Sequence, residues 1–230
     1  MQKKRIIWLI TASVITIILW QINPWGHYIL YPFTILATWF HEMFHGLAAL
    51  LMGGHFHKLE LFPNGSGTAY HSGSLYLRNL GRAFVAGAGP LGPVLAGSIF
   101  ILCGRRQRAT KICLYTLSIV MFLSVVLWVR TIFGFFVITL LGAVIFLIAL
   151  KAKEPVQGFI IQFLGVQACV SCYLQLGYLF KGRVVIDGQA MLSDTGVISD
   201  QLLAPVWFWG ATIMLLSVLI LAASLRAAYR

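Results

Sequence analysis

The sequence predicts an all-α membrane protein: a polytopic transmembrane bundle of about six or seven spans, with a short hairpin-like loop after the second. Three observations predict it. The 230 residues are 60% hydrophobic and only 10% charged, against about 25% charged in a soluble domain. The apolar residues come in runs of about 18 or more rather than in amphipathic stripes, which is the length that crosses a hydrocarbon core. The 17 basic residues, against 6 acidic ones for a net charge of +11, sit mostly in short gaps between those runs, as in loops that face anionic lipid or the cytoplasm. That placement argues against a nucleic-acid partner, because no soluble domain presents a basic face to phosphates.

Met1-Gln2-Lys3-Lys4-Arg5 is a basic start, and Ile6–Ile22 behind it is just long enough to span. Its apolar stretch exceeds a signal-peptide core and no small-x-small cleavage site follows, so an uncleaved anchor is expected. Asn23-Pro24-Trp25-Gly26 marks a turn. Phe33–Met52 is the second span, ended by Gly53-Gly54. His55–Arg82 is the longest polar stretch, and its two alternating pieces around Lys58–Phe62 and Thr68–Leu77 read as a hairpin-like loop. Ala83–Cys103 is the third span and Gly104–Lys111 a basic loop.

Ile112–Leu150 is too long for one span at about 1.5 Å per residue. It divides at Arg130 into Ile112–Val129 and Thr131–Leu150. Gln157–Phe180 is the sixth span, Lys181–Gln201 a polar loop, and Leu202–Leu225 the seventh span. No repeat or second domain interrupts residues 1–230. Topology is in conflict: seven full crossings with Lys3–Arg5 inside would put Arg105, Arg106, Arg108 and Lys111 outside, against the positive-inside rule. Of the four cysteines, Cys169 and Cys172 form a C-x-x-C inside an apolar run. With no second pair to complete a metal set, that spacing reads as helix packing.

The chemistry sits in the second span. His41-Glu42-Met43-Phe44-His45 is H-E-x-x-H, and on a helix positions i and i+4 share one face, so two imidazoles can hold one metal ion. Zinc lowers the pKa of a bound water towards about 7, and Glu42, beside the first ligand, can take its proton and pass it to a leaving amine. The setting sharpens the signal, since a carboxylate at mid-membrane costs about 2.5–3.5 kcal/mol or more and is usually functional. A hydrogen-bonded polar cluster gluing helices together is the plainer alternative. Two histidines leave the site one protein ligand short. Glu60 and Glu154 lie at loops or span edges. Asp187 and Asp194 are the serious candidates, Asp200 lies nearby, and His55, His57 and His71 fall in a polar loop.

His41-Glu42-x-x-His45-Gly46, with Ala48-Ala49 and Gly53-Gly54 after it, resembles the M50 (site-2 protease) metallopeptidases, and most of all their compact M50B-like branch. The resemblance continues through Gly65-Ser66-Gly67-Thr68, Gly87-Ala88-Gly89-Pro90-Leu91-Gly92 and Phe163-Leu164-Gly165-Val166-Gln167. It ends in Ser193-Asp194-Thr195 and Pro205-Val206-Trp207, and so covers most of the chain from Phe33 onwards. It implies that a late aspartate, matched by Asp194, completes the zinc site with His41 and His45. Better-known members use an Asp-Gly near an Asn-x-x-Pro; Asp187-Gly188 matches the first part and no Asn-x-x-Pro precedes it, so Asp187 stands second.

The expected protein is thus a multi-pass protein of the cell membrane, a Zn2+-dependent intramembrane endopeptidase with Glu42 as the base and membrane proteins as substrates. Its rival is a transporter or scaffold whose metal site is structural. Gly87–Gly92 also fits G-x-G-x-x-G, but it lies inside a span with no acid downstream, which excludes a dinucleotide site. Ala88, Gly92 and Ala96 at i, i+4 and i+8 instead suit close helix packing, which could press this helix onto the metal helix. Gly65–Tyr70 could hold an extended substrate by strand addition.

Overall fold

Helices form where the apolar runs lie, because a backbone in lipid must satisfy its own hydrogen bonds. The computed structural model describes residues 2–22, 24–174, 176–186 and 188–229. In chain order these form α1 (Gln2–Gln21), α2 (Trp25–Leu51), β1 (His55–Leu61), β2 (Gly67–Ser72), α3 (Asn79–Cys103), α4 (Gln107–Leu127) and α5 (Ile132–Lys151). There follow α6 (Glu154–Leu174), α7 (Leu176–Leu179), β3 (Arg183–Ile186), β4 (Gln189–Leu192), α8 (Asp194–Leu202) and α9 (Val206–Tyr229). Asn23 of the expected turn lies outside the described residues.

Four helices, α3, α4, α5 and α9, are long and apolar enough to cross a membrane, and Ile6–Gln21 is a shorter apolar helix. His41, Glu42 and His45 interrupt the apolar run of α2 and keep it out of that group. The chain is mostly helical, and two antiparallel hairpins interrupt the helices: β1–β2 lies within His55–Arg82, where a hairpin-like loop is expected, and β3–β4 is an addition to the all-α expectation.

Gly53 ends α2 in a left-handed conformation (φ +82°), which a glycine adopts without a Cβ penalty. The chain then enters the β1–β2 hairpin, in which Leu59 pairs with Ala69 and Leu61 with Gly67. Leu59 and Leu61 are fully buried, so one face of β1 joins the core around Trp39, Met121 and Ile138. The free edge of β1 is taken by the break between α4 and α5. Leu59 N–H donates to Trp128 O (2.8 Å) and Arg130 N–H to Leu59 O (3.0 Å), a parallel bridge. Thr131 caps α5 by accepting from Gly134 N–H, and its hydroxyl donates to Leu61 O (2.9 Å). With both edges of β1 paired, the outer edge of β2 is left facing α2.

Two close approaches set the rest of the frame. Gly92 on α3 lies against the Phe44 ring of α2, where an added Cβ would come within 2.6 Å. Gly97 of α3 lies against Gly165 O and Cys169 Sγ of α6, both 2.7 Å from a Cβ built there. That contact puts Cys169 in helix packing; the side chain of Cys172 lies outside the described residues.

At the other end of the bundle, Trp8 of α1 covers Gly158 of α6, and Gln107 of α4 donates to Gln157 of α6 (2.7 Å). The start of α1, the α3–α4 loop and the α5–α6 loop therefore share one end. This removes the topological conflict, because the basic segments Lys3–Arg5 and Arg105–Lys111 are not on opposite sides.

The expected polar loop at Lys181–Gln201 is instead the β3–β4 hairpin followed by α8. Its four-residue strands are too short to display a periodicity. The expected sixth span at Gln157–Phe180 is α6 plus the separate short α7.

Candidate metal centre

His41 and His45 lie one turn apart on α2, and both are buried. Their Nε2 atoms are 3.0 Å apart. Asp194 is the first residue of α8, held by its neighbour. The Ser193 hydroxyl accepts from Gly196 N–H as the helix cap (3.0 Å) and donates to Lys181 O. Asp194 Oδ2 thereby reaches His41 Nε2 (3.0 Å) and Oδ1 reaches His45 Nε2 (3.1 Å). A segment 149 positions beyond His45 in the chain (194 − 45) thus closes the triangle. Among the described residues this trio forms a group able to hold a metal ion.

The chemistry of the donors asks for a cation. His45 Nδ1 lies 2.8 Å from the Val85 carbonyl of α3. A carbonyl only accepts, so Nδ1 carries the proton, and Nε2 of the neutral ring presents a lone pair. That lone pair meets His41 Nε2 and the Asp194 carboxylate, while His41 Nδ1 is buried without a hydrogen-bond partner. With His41 Nε2 also unprotonated, three lone-pair atoms lie at these distances, an arrangement that one cation between them satisfies. Tetrahedral bonds of about 2.0–2.1 Å would set ligand atoms about 3.3–3.4 Å apart, a few tenths beyond the 3.0, 3.0 and 3.1 Å found here. The donor set fits zinc.

Space for the His45 imidazole edge comes from Gly89 of α3, where an added Cβ would lie 2.1 Å from His45 Nε2. Of the expected small-residue stripe, Gly92 lies against Phe44 of the metal helix, Ala88 packs on the cluster that holds Ala48 and Ala49 of that helix, and Ala96 joins the core cluster of Phe40 and Met43. Gly89, outside the stripe, makes the contact that matters to the site.

Glu42 is buried beside the trio and turned towards β2. A Cβ on Gly67 would lie 2.9 Å from Glu42 Cγ, and the backbone of Ala69 lies against its carboxylate. Two cavities meet here. One, of about 640 Å³, runs between the start of β2 and β3 past Thr38 and Lys181. The other, of about 470 Å³, lies between β2 and α8. Glu42, His41 and Tyr178 line both.

The remaining candidates fall away from the trio. His57 bonds Ser72 (2.6 Å) and stacks obliquely near His55. His71 borders the second cavity; burial, the largest cause, holds its pKa below the ordinary histidine value. Glu60 pairs with Lys58 (2.7 Å), and Asp200 accepts from Gln201. Asp187 lies outside the described residues.

Val85, Gly89 and Tyr178 escaped sequence reasoning. Only Gly89 left a signal, as part of a glycine-rich run, and that signal named no partner.

The chain belongs to the Peptidase M50B-like family, whose sequence model matches residues 9–224. It is therefore a membrane metallopeptidase by family. Neither the curated proteins nor the solved structures give a match.

Proposed function

We propose that this protein is a zinc-dependent intramembrane endopeptidase that cuts membrane-protein substrates, with His41, His45 and Asp194 as the metal ligands and Glu42 as the base. The observation that carries the reading is the convergence of three lone-pair donors on one point beside a buried carboxylate. Three ligands among the described residues is the count of a catalytic site that keeps a position open, where a structural zinc takes four. That favours the peptidase over a transporter or scaffold.

A zinc ion held there supplies Lewis acidity, polarising a carbonyl and making water more acidic. The Glu42 carboxylate takes the proton from the attacking water and returns it to the leaving nitrogen. The outer edge of β2 receives the substrate as an added strand, for β1 is already paired on both edges. The larger cavity admits the water that lipid would exclude. In this reading α6 and one of α1 and α2 join the four apolar helices as full crossings, six in all, of a multi-pass protein of the cell membrane, which keeps Lys3–Arg5 and Arg105–Lys111 on one side.

The test is zinc content per chain in detergent-purified protein. One zinc in the wild type, lost or weakened in both His45→Ala and Asp194→Ala, is expected. A carefully handled wild type without zinc would refute the metal site, and zinc kept in Asp194→Ala alone would move the third ligand to Asp187.

A further inference from the structure

Tyr178 is a side chain at the metal centre that the mechanism above leaves unused. It stands in α7, the single turn between α6 and the second hairpin. Its ring packs edge-on against His41, with centroids 6.2 Å apart. Its hydroxyl oxygen accepts a hydrogen bond from Asp194 N–H at 3.3 Å. That contact uses an oxygen lone pair, and the phenolic proton, which has the Asp194 carboxylate within reach, can turn to an acceptor that enters the cavity. An ordinary tyrosine, with a pKa near 10, keeps that proton at neutral pH.

The surroundings narrow the use of that donor. Tyr178 is half-buried and borders both cavities, as do His41 and Glu42. Within these cavities Lys181, Arg183 and Arg82 are exposed cations towards the rims. Thr38 already donates to Gly65 O (2.7 Å). Tyr178 is the neutral donor that touches both metal-ligand helices, α2 through His41 and α8 through Asp194. A peptide carbonyl brought to Glu42 from the edge of β2 would enter the cavities that Tyr178 borders.

We propose that the Tyr178 hydroxyl is a catalytic hydrogen-bond donor to the scissile carbonyl oxygen, stabilising the negative charge that oxygen gains as water adds to the carbonyl carbon. This rests on the peptidase reading. No proton is transferred by Tyr178: the hydrogen bond strengthens as charge develops and relaxes when the carbonyl reforms. Such a donor acts on the transition state and adds little to ground-state binding.

The experiment uses the full chain, zinc-loaded in detergent, as wild type, Tyr178→Phe, and a variant with 3-fluorotyrosine at 178 that keeps shape and donor. The first readout is zinc affinity. The second is the affinity of a capped phosphinic dipeptide, whose tetrahedral oxyanion mimics the charged intermediate, against the matching amide dipeptide. The third is cleavage of β-casein. Tyr178→Phe should bind zinc as the wild type does and lose phosphinate affinity by about 10–100-fold, with the amide unaffected. Its kcat should fall about 100-fold or more at nearly unchanged KM. The fluorotyrosine variant should retain phosphinate binding, and it also decides the matter if Tyr178→Phe fails to fold: loss of phosphinate there overturns the donor role. Unchanged phosphinate affinity in Tyr178→Phe overturns the proposal, as does a wild type that binds no phosphinate. Loss of zinc in Tyr178→Phe also overturns it, making the hydroxyl a support for Asp194. Failure of the zinc-loaded wild type to cleave, with phosphinate still bound through Tyr178, would instead count against the peptidase reading alone.

Discussion

Replacing Gly89 by alanine should abolish tight metal binding, although intrinsic preferences point the other way. Alanine is favoured over glycine inside a helix by about 0.8–1.0 kcal/mol, so α3 taken alone would gain. In the folded protein the new Cβ lies 2.1 Å from Nε2, 2.3 Å from Cε1 and 2.7 Å from Cδ2 of His45. Ordinary contact begins at 3.4 Å, so the ring edge must retreat by 3.4 − 2.1, about 1.3 Å. Metal sites tolerate about ±0.2 Å. The ring cannot swing freely, because Nδ1 is held at 2.8 Å by Val85 O, one turn before Gly89 on α3. The helix cannot withdraw either, because Gly92 is seated on Phe44 and Gly97 on α6.

Loss of outer-sphere support alone costs about 10–100-fold in metal affinity, and displacement of a ligand should exceed that. Gly87→Ala is the control. Its Cβ meets only Ile198 Cδ1, at 3.7 Å, so it has the helix benefit without the collision. The assay is zinc titration against a competing chelator in detergent, with thermal unfolding of the apo proteins alongside. Gly89→Ala should lose zinc while Gly87→Ala keeps it. Wild-type zinc affinity in Gly89→Ala would refute the placement of His45 against α3, and with it the assignment of Nε2 as the ligand atom.

Glu42→Gln should keep zinc, since Glu42 is not one of the three ligands, and should lower kcat for casein cleavage by about 10²–10⁴; comparable kcat in the two proteins would remove Glu42 as the base. Thr131→Ala deletes the cap of α5 and its link to Leu61, and should lower stability by about 1–2 kcal/mol, read as a shift in detergent unfolding; an unshifted midpoint would show that the β1 edge is held without it. Single cysteines at Lys4, Arg106 and Lys153 should label with an impermeant maleimide from one side of a vesicle. Labelling of Lys4 and Arg106 from opposite sides would break the shared basic end inferred from Trp8 on Gly158 and Gln107 on Gln157.

Sequence alone determined what depends on composition and on neighbours along a helix. Uninterrupted apolar length marks α3, α4, α5 and α9 as candidate spans, because lipid solvates nothing else so long. Arg130 marks the break between α4 and α5, since no uninterrupted apolar run of that length needs a charge at its middle. His41 and His45 share a face because 3.6 residues make a turn, and Glu42 belongs with them by adjacency. Asp194 was reachable only through the family resemblance; spacing left it level with Asp187.

Tertiary structure decided the rest. Which late acid meets the histidines depends on how α8 is hung from the β3–β4 hairpin through the Ser193 cap, and strands of four residues are too short to announce themselves. Which glycine of α3 admits His45 depends on a rotation between two helices, a property that the order of residues in either helix does not contain. The tautomer of His45 follows from a carbonyl 40 positions away, and the position of Tyr178 follows from a single helical turn that a hydropathy reading merges into α6. Contacts distant in the chain are set by packing, and packing is a property of the whole bundle.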